Sequence, residues 1–251
     1  MRRTSCWNGC GVTTPGSARD AWSCTMRAAS LSIVVPVLNE AASISRVLQA
    51  LEPLRERGAQ VIVVDGGSRD GTVALAQALA DAVVQGPRGR ARQMNTGASM
   101  AQGAVLLFLH ADTFLPYRAD VEVLQAVQVG ALWGRFDVQI EGRSPMLAVV
   151  AAMMNLRSRL SGIATGDQAM FVRRDVFEAV GGFPDQPLME DIELSKRLGR
   201  RASPACLRAC VRTSGRRWET RGVWRTIGLM WCLRWRYWRG ESPEQLARDY
   251  T

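Results

Sequence analysis

Histidine is almost missing from this 251-residue chain, and His110 is the only one. A zinc site built from several histidines is therefore excluded within one chain, as is any serine–histidine triad that does not use His110. Long apolar runs are missing too. No stretch reaches the roughly 18 apolar residues of a membrane-spanning helix. Met146–Met154 is apolar throughout but short, and reads as a buried helix. The glycine spacing of the dinucleotide fingerprint appears neither in Val37-Leu38-Asn39-Glu40 nor in Asp65-Gly66-Gly67-Ser68. Hydride transfer with a nicotinamide cofactor is therefore poorly supported. The first 29 residues lack the continuous apolar segment of a signal peptide. They read as a poorly ordered extension, or as upstream sequence included by a misplaced start.

Apolar residues make up 47% of the chain, ample for a packed core, and its length suits one large α/β domain or two small ones. The formal charge of +9 favours a polyanionic partner, whether nucleic acid, anionic membrane or phosphorylated substrate. The excess lies in Arg88, Arg90 and Arg92, and above all from Arg212 to Arg239. Cys6 and Cys10 can pair with Cys24 or take a metal. With no second motif to complete a four-cysteine site, free thiols in a reducing cytoplasm are the plainer reading for these and for Cys206, Cys210 and Cys232.

Apolar runs bounded by turn residues predict strands at Leu31–Val35, Gln60–Val64, Ala82–Val84 and Val105–Leu109. Helical spacing predicts Glu40–Leu54, Asp70–Leu79 and Arg90–Met100 between them. This alternation argues for an α/β fold with a mostly parallel, Rossmann-like central sheet flanked by helices. The second half is less regular. Leu132–Ile140 reads as an antiparallel strand, Pro145–Leu156 as a helix capped by Ser144, Ala169–Arg173 as a strand, and Arg174–Val180 and Glu190–Leu198 as helices. One domain with two halves is expected over residues 30–222, divided near residue 115, followed by a basic aromatic helical segment over 223–251.

Ligands of such sheets sit beyond the carboxyl ends of the strands, where Pro36, Asp65 and His110 fall. Asp65 and Gly66 leave the second strand, where the carboxylate can accept hydrogen bonds from a base or ribose, while Asp70 caps the next helix. His110 and Asp112 follow the fourth strand two residues apart. In extended chain they face one side and can ligate Mn²⁺ or Mg²⁺ to grip a diphosphate. Arg90 and Arg92 offer planar donors to phosphate oxygens. Glu190 and Asp191 open a helix, where Asp191 can deprotonate an acceptor hydroxyl and Glu190 can orient it or bind the acceptor. Gly166, Asp167 and Gln168 form a polar corner able to hold a sugar.

Together these residues resemble family 2 glycosyltransferases of the GT-A fold, over about Leu31 to Arg201. Pro36–Glu40, with Asn39 and Glu40, resembles the family's opening nucleotide-binding loop. Asp65-Gly66-Gly67-Ser68 resembles its aspartate-glycine-serine loop, His110-Ala111-Asp112 stands at its Asp-x-Asp metal motif, and Glu190-Asp191 resembles its Glu-Asp pair. The resemblance implies an inverting transfer from a nucleoside-diphosphate-sugar donor, bound by the first half, to a small-molecule or lipid-linked acceptor bound by the second. Asp191 is the implied base, and Asp112 with His110 the implied ligands of Mn²⁺ or Mg²⁺. His110 departs from the family by replacing the first aspartate of the metal motif. Arg217-Trp218 resembles the end of the Gln-x-x-Arg-Trp motif of polymerising members, but Ser214 stands at the glutamine. A processive polysaccharide synthase is therefore not expected. Arg216 and Arg217 are expected over the diphosphate and Trp218 at the acceptor. His110-Ala111-Asp112-Thr113, Gly166-Asp167-Gln168 and Pro187–Asp191 most resemble a bacterial subgroup labelled arsenosugar-biosynthesis glycosyltransferases.

In the tail, Trp224, Ile227, Trp231, Trp235 and Trp238 fall on one helical stripe, with Arg225, Arg236 and Arg239 beside it. Such a helix either packs its tryptophans on the catalytic domain, holds a membrane interface at the inner face of the membrane, or joins a homodimer. Two alternatives compete with sugar transfer. A nucleotidyltransferase shares the fold class but leaves Glu190-Asp191 with little to do. A nucleic-acid-binding protein fits the charge, yet no recognisable reading module is visible and the three acidic sites are left unexplained.

Overall fold

The computed structural model describes residues 30–250. Expectations for residues 1–29, including Cys6, Cys10 and Cys24, lie outside the described residues. The first half consists of β1 (Leu31–Val37), α1 (Ile44–Glu56), β2 (Gln60–Asp65), α2 (Thr72–Gln77), β3 (Ala82–Gln85), α3 (Arg90–Met100) and β4 (Val105–Phe108). The second half adds β5 (Thr113–Phe114), α4 (Ala119–Gln128), β6 (Trp133–Glu141), α5 (Met146–Ser161), β7 (Phe171–Arg173), α6 (Arg174–Ala179), α7 (Glu190–Gly199) and β8 (Ala205–Ser214). A tail of α8 (Arg216–Arg221), α9 (Val223–Trp238) and α10 (Pro243–Tyr250) follows.

Among the described residues the strands form one sheet of order β3-β2-β1-β4-β7-β6-β8-β5. β3, β2, β1 and β4 run parallel, while β7 is antiparallel to both β4 and β6. Strand alternation divides the apolar residues between two faces. Ile33, Val35 and Val37 enter one core with Ile44, Leu48 and Leu51 of α1, whereas Val34, Ile62 and Val64 enter another with Met94 of α3. Gly97 lets α3 lie close on the sheet, because a β-carbon there would stand 2.3 Å from Val34. The chain order reverses between β1 and β4, so their carboxyl ends open the crevice in which sheets of this kind bind ligands.

Several expectations need correction. Pro36 lies within β1, paired in register with Val64, and the strand ends one residue later. Being proline, it gives no amide to the ladder at that position. β6 is antiparallel only to β7. Its longer partnership, with β8, is parallel and carries a bulge between Phe136 and Asp137. The helix containing Met146–Met154 is not buried on all sides. Leu147, Val150 and Ala151 enter the core, but Val149, Met153, Leu156 and Leu160 are exposed, because α5 covers β6 with one face only. Pro145, not Ser144, precedes its first turn.

Candidate active site

The crevice is lined by loops that hold each other in place. After β1, Asn39 adopts a left-handed backbone (φ 55°). Its amide donates to Ser68 Oγ at 2.8 Å, and its side-chain oxygen accepts from the Arg69 amide at 2.9 Å. The Glu40 amide donates to Thr72 Oγ1, and Asp70 accepts from the amides of Ala41 and Thr72. Asp65 is buried, and its carboxylate accepts the amides of Gly67 and Ser68, each at 3.0 Å. Its first role is therefore to shape the loop. Beneath it, the Gln93 amide donates at 2.8 Å to the carbonyls of both Val37 and Val64, joining the ends of β1 and β2 to α3. Gly66 makes room for this, since a β-carbon would meet Gln93 at 3.0 Å.

After β4 the chain turns at once. The Thr113 amide donates to the His110 carbonyl at 3.1 Å, so residues 110–112 are not extended. The extended-chain argument that set His110 and Asp112 on one side therefore does not apply. His110 Nδ1 lies 3.3 Å from Asp167 Oδ1, and Nε2 is buried against Gly166 without a hydrogen-bond partner. Asp112 is partly exposed, Ala111 beside it is buried, and the Asp112 carbonyl accepts the Ser214 amide.

α7 carries the acidic pair. Met189 enters it with φ 66°. Asp191 Oδ2 accepts the Gly166 amide at 2.9 Å and Oδ1 accepts the Ile192 amide at 2.7 Å, which fixes the carboxylate against the polar corner. Gln168, buried, closes that corner through a capping box with Thr165, and Ala169 follows at φ 45°. The three non-glycine residues with positive φ, Asn39, Ala169 and Met189, thus all lie in loops of this crevice among the described residues. Backbone strain concentrates in this way at functional sites.

Charge ties the halves together. Glu190 is 3% exposed and faces Arg90 Nη1 at 3.5 Å. Burial, then the neighbouring Asp191 charge, pushes the Glu190 carboxyl above the ordinary glutamate range, and Arg90 opposes this. Desolvation works against the Arg90 charge, but Glu190, Asp167, Asp191 and Asp112 together raise its pKa. Desolvation also opposes ionisation of Asp167, yet the His110 hydrogen bond and the charges of His110, Arg90 and Arg217 hold it below the ordinary aspartate value. Arg217 is thus within electrostatic reach of the cluster, and its guanidinium also stacks on Tyr250 with the ring centroid 5.1 Å away. A small enclosed cavity among Met94, Phe108, His110, Gly166, Met170, Phe183, Glu190 and Asp191 lies at its centre.

Two expected site residues, Arg92 and Trp218, make contacts elsewhere. Arg92 makes a bidentate surface pair with Asp185, at 2.6 and 2.9 Å. Trp218 packs on the core and borders a separate depression with Arg143, Ser144 and Val223. Arg216 is exposed and makes no ion pair among the described residues. Gln93 and Asn95 were missed. Asn95 donates to the Phe183 carbonyl and accepts the Phe183 amide, bracing the loop before α7.

Comparison with known proteins identifies the fold and the family. The chain is 28% identical over 185 residues to the glycosyltransferase AglE of Haloferax volcanii, covering 66% of this chain and 60% of that protein. It therefore spans under two thirds of that relative's length. The fold matches S. aureus TarS 1–349 in complex with UDP-GlcNAc with a TM-score of 0.61 at 17% identity, covering 74% of this chain and 58% of that one. It also matches the mannosyltransferase PcManGT from Pyrobaculum calidifontis in complex with GDP-Man and Mn²⁺ with a TM-score of 0.55 at 22% identity, covering 74% and 57%. These likenesses identify the GT-A type of fold. The model of glycosyl transferase family 2 matches residues 32–180, more than half of the chain, and the chain belongs to that family.

Proposed function

We propose that the protein transfers a sugar from a nucleoside-diphosphate-sugar donor to a hydroxyl acceptor with inversion, and that Asp191 is the base. The observation that carries this reading is the fixed position of the Asp191 carboxylate, held by the Gly166 amide at the mouth shared with Asp112, Asp167 and Arg90. Membership of the family supports the reaction class. The loops after β1 and β2, whose shape Asn39, Glu40 and Gly66 fix through their backbone hydrogen bonds, take the nucleoside. Asp191 removes the acceptor proton as that oxygen bonds to the anomeric carbon. The bond from that carbon to the diphosphate breaks, and the nucleoside diphosphate leaves. Arg90 and Arg217 oppose the charge that develops on the leaving group.

The residues present suit a hard divalent ion bound partly by substrate. No group of three or more His, Cys, Asp or Glu among the described residues could hold a metal on its own. Magnesium commonly binds through one or two carboxylates together with phosphate oxygens and water. Asp112 would supply that carboxylate. His110 turns both ring nitrogens toward Asp167 and Gly166, and positions Asp167 instead of acting as a ligand. When bound, Mn²⁺ or Mg²⁺ neutralises diphosphate charge. Within the family, the His110–Thr113, Gly166–Gln168 and Pro187–Asp191 segments support the subgroup labelled arsenosugar-biosynthesis glycosyltransferases.

The test is a donor screen. Uridine, guanosine and thymidine diphosphate sugars are incubated with the protein, with and without Mn²⁺, and release of nucleoside diphosphate is followed. Slow donor hydrolysis with at least one of them is expected without acceptor. Pyrophosphate release from a nucleoside triphosphate, with no diphosphate from any sugar donor, would overturn the reading.

A further inference from the structure

The tail helix does not bury its tryptophans. Leu233 and Thr226 of α9 face inward, with Leu229, Met230 and Tyr237 packed on Met189 and Ile192. Trp224, Trp231, Trp235 and Trp238 lie on the opposite side and are 55–78% exposed. Their spacing of seven, four and three residues keeps them on one stripe. Ile227 leaves that stripe and packs on the core, and Arg236 is paired with Glu241 and Asp249. Arg225 and Arg239 are exposed along one flank, and Arg239 stacks on Trp235.

A second stripe accompanies the first. Val149, Met153, Leu156 and Leu160 of α5 are 51–79% exposed, at spacings of four, three and four. The helices are neighbours at both ends. Glu219, just before α9, accepts the Arg143 amide just before α5. Ile163, just after α5, packs in the cluster that holds Leu229, Met230 and Leu233. Eight exposed large apolar side chains thus belong to two adjoining helices, far more than scattered surface residues require.

We infer that the outer faces of α5 and α9 form one membrane-docking surface, seated in the headgroup layer of an anionic bilayer. Three observations select this occupant. Tryptophan and arginine on one helix match the amphipathic boundary of a bilayer. Arg225 and Arg239 are exposed beside the tryptophans, and residues 142–161 and 222–240 contain no aspartate or glutamate, so the face complements anionic lipid. A second copy docking by a twofold axis would set this basic face against itself. No helix among the described residues is long and apolar enough to cross a membrane, so the contact is one of lying on the surface. The inference goes beyond sugar transfer, and its test uses no donor.

The full chain is floated with extruded vesicles of phosphatidylcholine, alone or mixed with phosphatidylglycerol, at low and high salt. Flotation with the mixed vesicles is expected, weakened by salt as exposed charge is screened. Replacing Trp224, Trp231, Trp235 and Trp238 by Ser, or separately Val149, Met153, Leu156 and Leu160 by Gln, is expected to lower partitioning by at least about tenfold in each case. An unchanged thermal midpoint checks the fold. Should either variant unfold, Arg225→Gln with Arg239→Gln supplies the test, and must reduce the preference for phosphatidylglycerol. The inference is overturned if the unmodified chain floats with neither vesicle. It is overturned as well if folded variants float undiminished, if the arginine variant keeps the full preference, or if the tryptophan variant only disperses a dimer.

Discussion

Arg90 and Glu190 lie a hundred residues apart in sequence and meet at 3.5 Å across the crevice, the arginine half-exposed and the glutamate buried. The pair joins the start of α3 to the start of α7, and so couples the two halves of the crevice. Removing Arg90 leaves a buried carboxyl beside Asp191 with no counter-ion. Arg90→Leu is expected to destabilise the protein by about 1–3 kcal/mol, below the range for a fully buried pair because Arg90 reaches solvent. Glu190→Gln in the same chain should recover most of that loss, as a double-mutant cycle in urea will measure. An unchanged denaturation midpoint for Arg90→Leu would show that the pair is not structural.

In the proposed reading Asp112 is a metal ligand and His110, turned toward Asp167, is not. Asp112→Ala is expected to abolish the Mn²⁺-dependent part of nucleoside diphosphate binding. His110→Gln should reduce that part by about 10–100-fold, the loss typical of a residue that stands behind the ligands, without abolishing it. Calorimetry with the diphosphate, with and without Mn²⁺, separates the two. Equal losses in both variants would restore His110 as a ligand.

What the sequence disclosed follows from periodicity. The parallel strands were legible because they are apolar runs cut off by turn residues, and Arg90–Met100 was placed at both ends. β8 was missed although Leu207, Ala209, Val211 and Thr213 alternate with polar residues. The interposed Arg208 and Arg212 made the stretch read as charge rather than as a half-exposed strand. α4 was missed for want of a strong apolar stripe. The Arg92 error was avoidable. Two residues along a helix is a rotation of about 200°, so Arg90 and Arg92 cannot face one site. The role of Gln93 was not legible at all, since its two carbonyl partners lie 29 and 56 residues away and nothing local marks it. The order of the acidic loops was legible because each follows a strand or opens a helix. Their convergence on Arg90 depends on the tertiary fold.

Gly166 explains a tight contact. A β-carbon there would lie 2.3 Å from His110 Nε2, an atom that is itself buried. Gly166→Ala should force the imidazole away from Asp167 and cost about 1–3 kcal/mol by overpacking. Thermal denaturation measures the cost. In the double variant with His110→Ala, the Gly166→Ala penalty should largely vanish. An equal penalty in both backgrounds would point to backbone strain instead of the histidine.

Asp167 gives the site an acid limit. Its pKa is lowered on folding, so it contributes stability above its unfolded value, about 4, and that contribution is lost as pH falls through the lower folded value. Stability of the unmodified protein should therefore drop more steeply than that of Asp167→Asn as pH falls below about 4. Urea midpoints over that range test this, and parallel curves would remove Asp167 from the account.

Asp191 carries the chemistry in this reading, and its two oxygens each accept a backbone amide. Asp191→Asn keeps one oxygen to accept the Gly166 amide but sets its NH₂ against the Ile192 amide, so the proton acceptor is lost along with one hydrogen bond, and an unchanged thermal midpoint checks that the corner holds its shape. General-base catalysis contributes roughly 10²–10⁴-fold, so transfer by the variant should fall by at least about a hundredfold. Donor affinity should stay within about tenfold, because the donor is bound by the loops after β1 and β2 and by Arg90 and Arg217. The measurement is single-turnover transfer alongside calorimetry on the same preparation. Lost donor binding with unchanged transfer per bound complex would assign Asp191 to the donor and leave the base to be found elsewhere in the crevice.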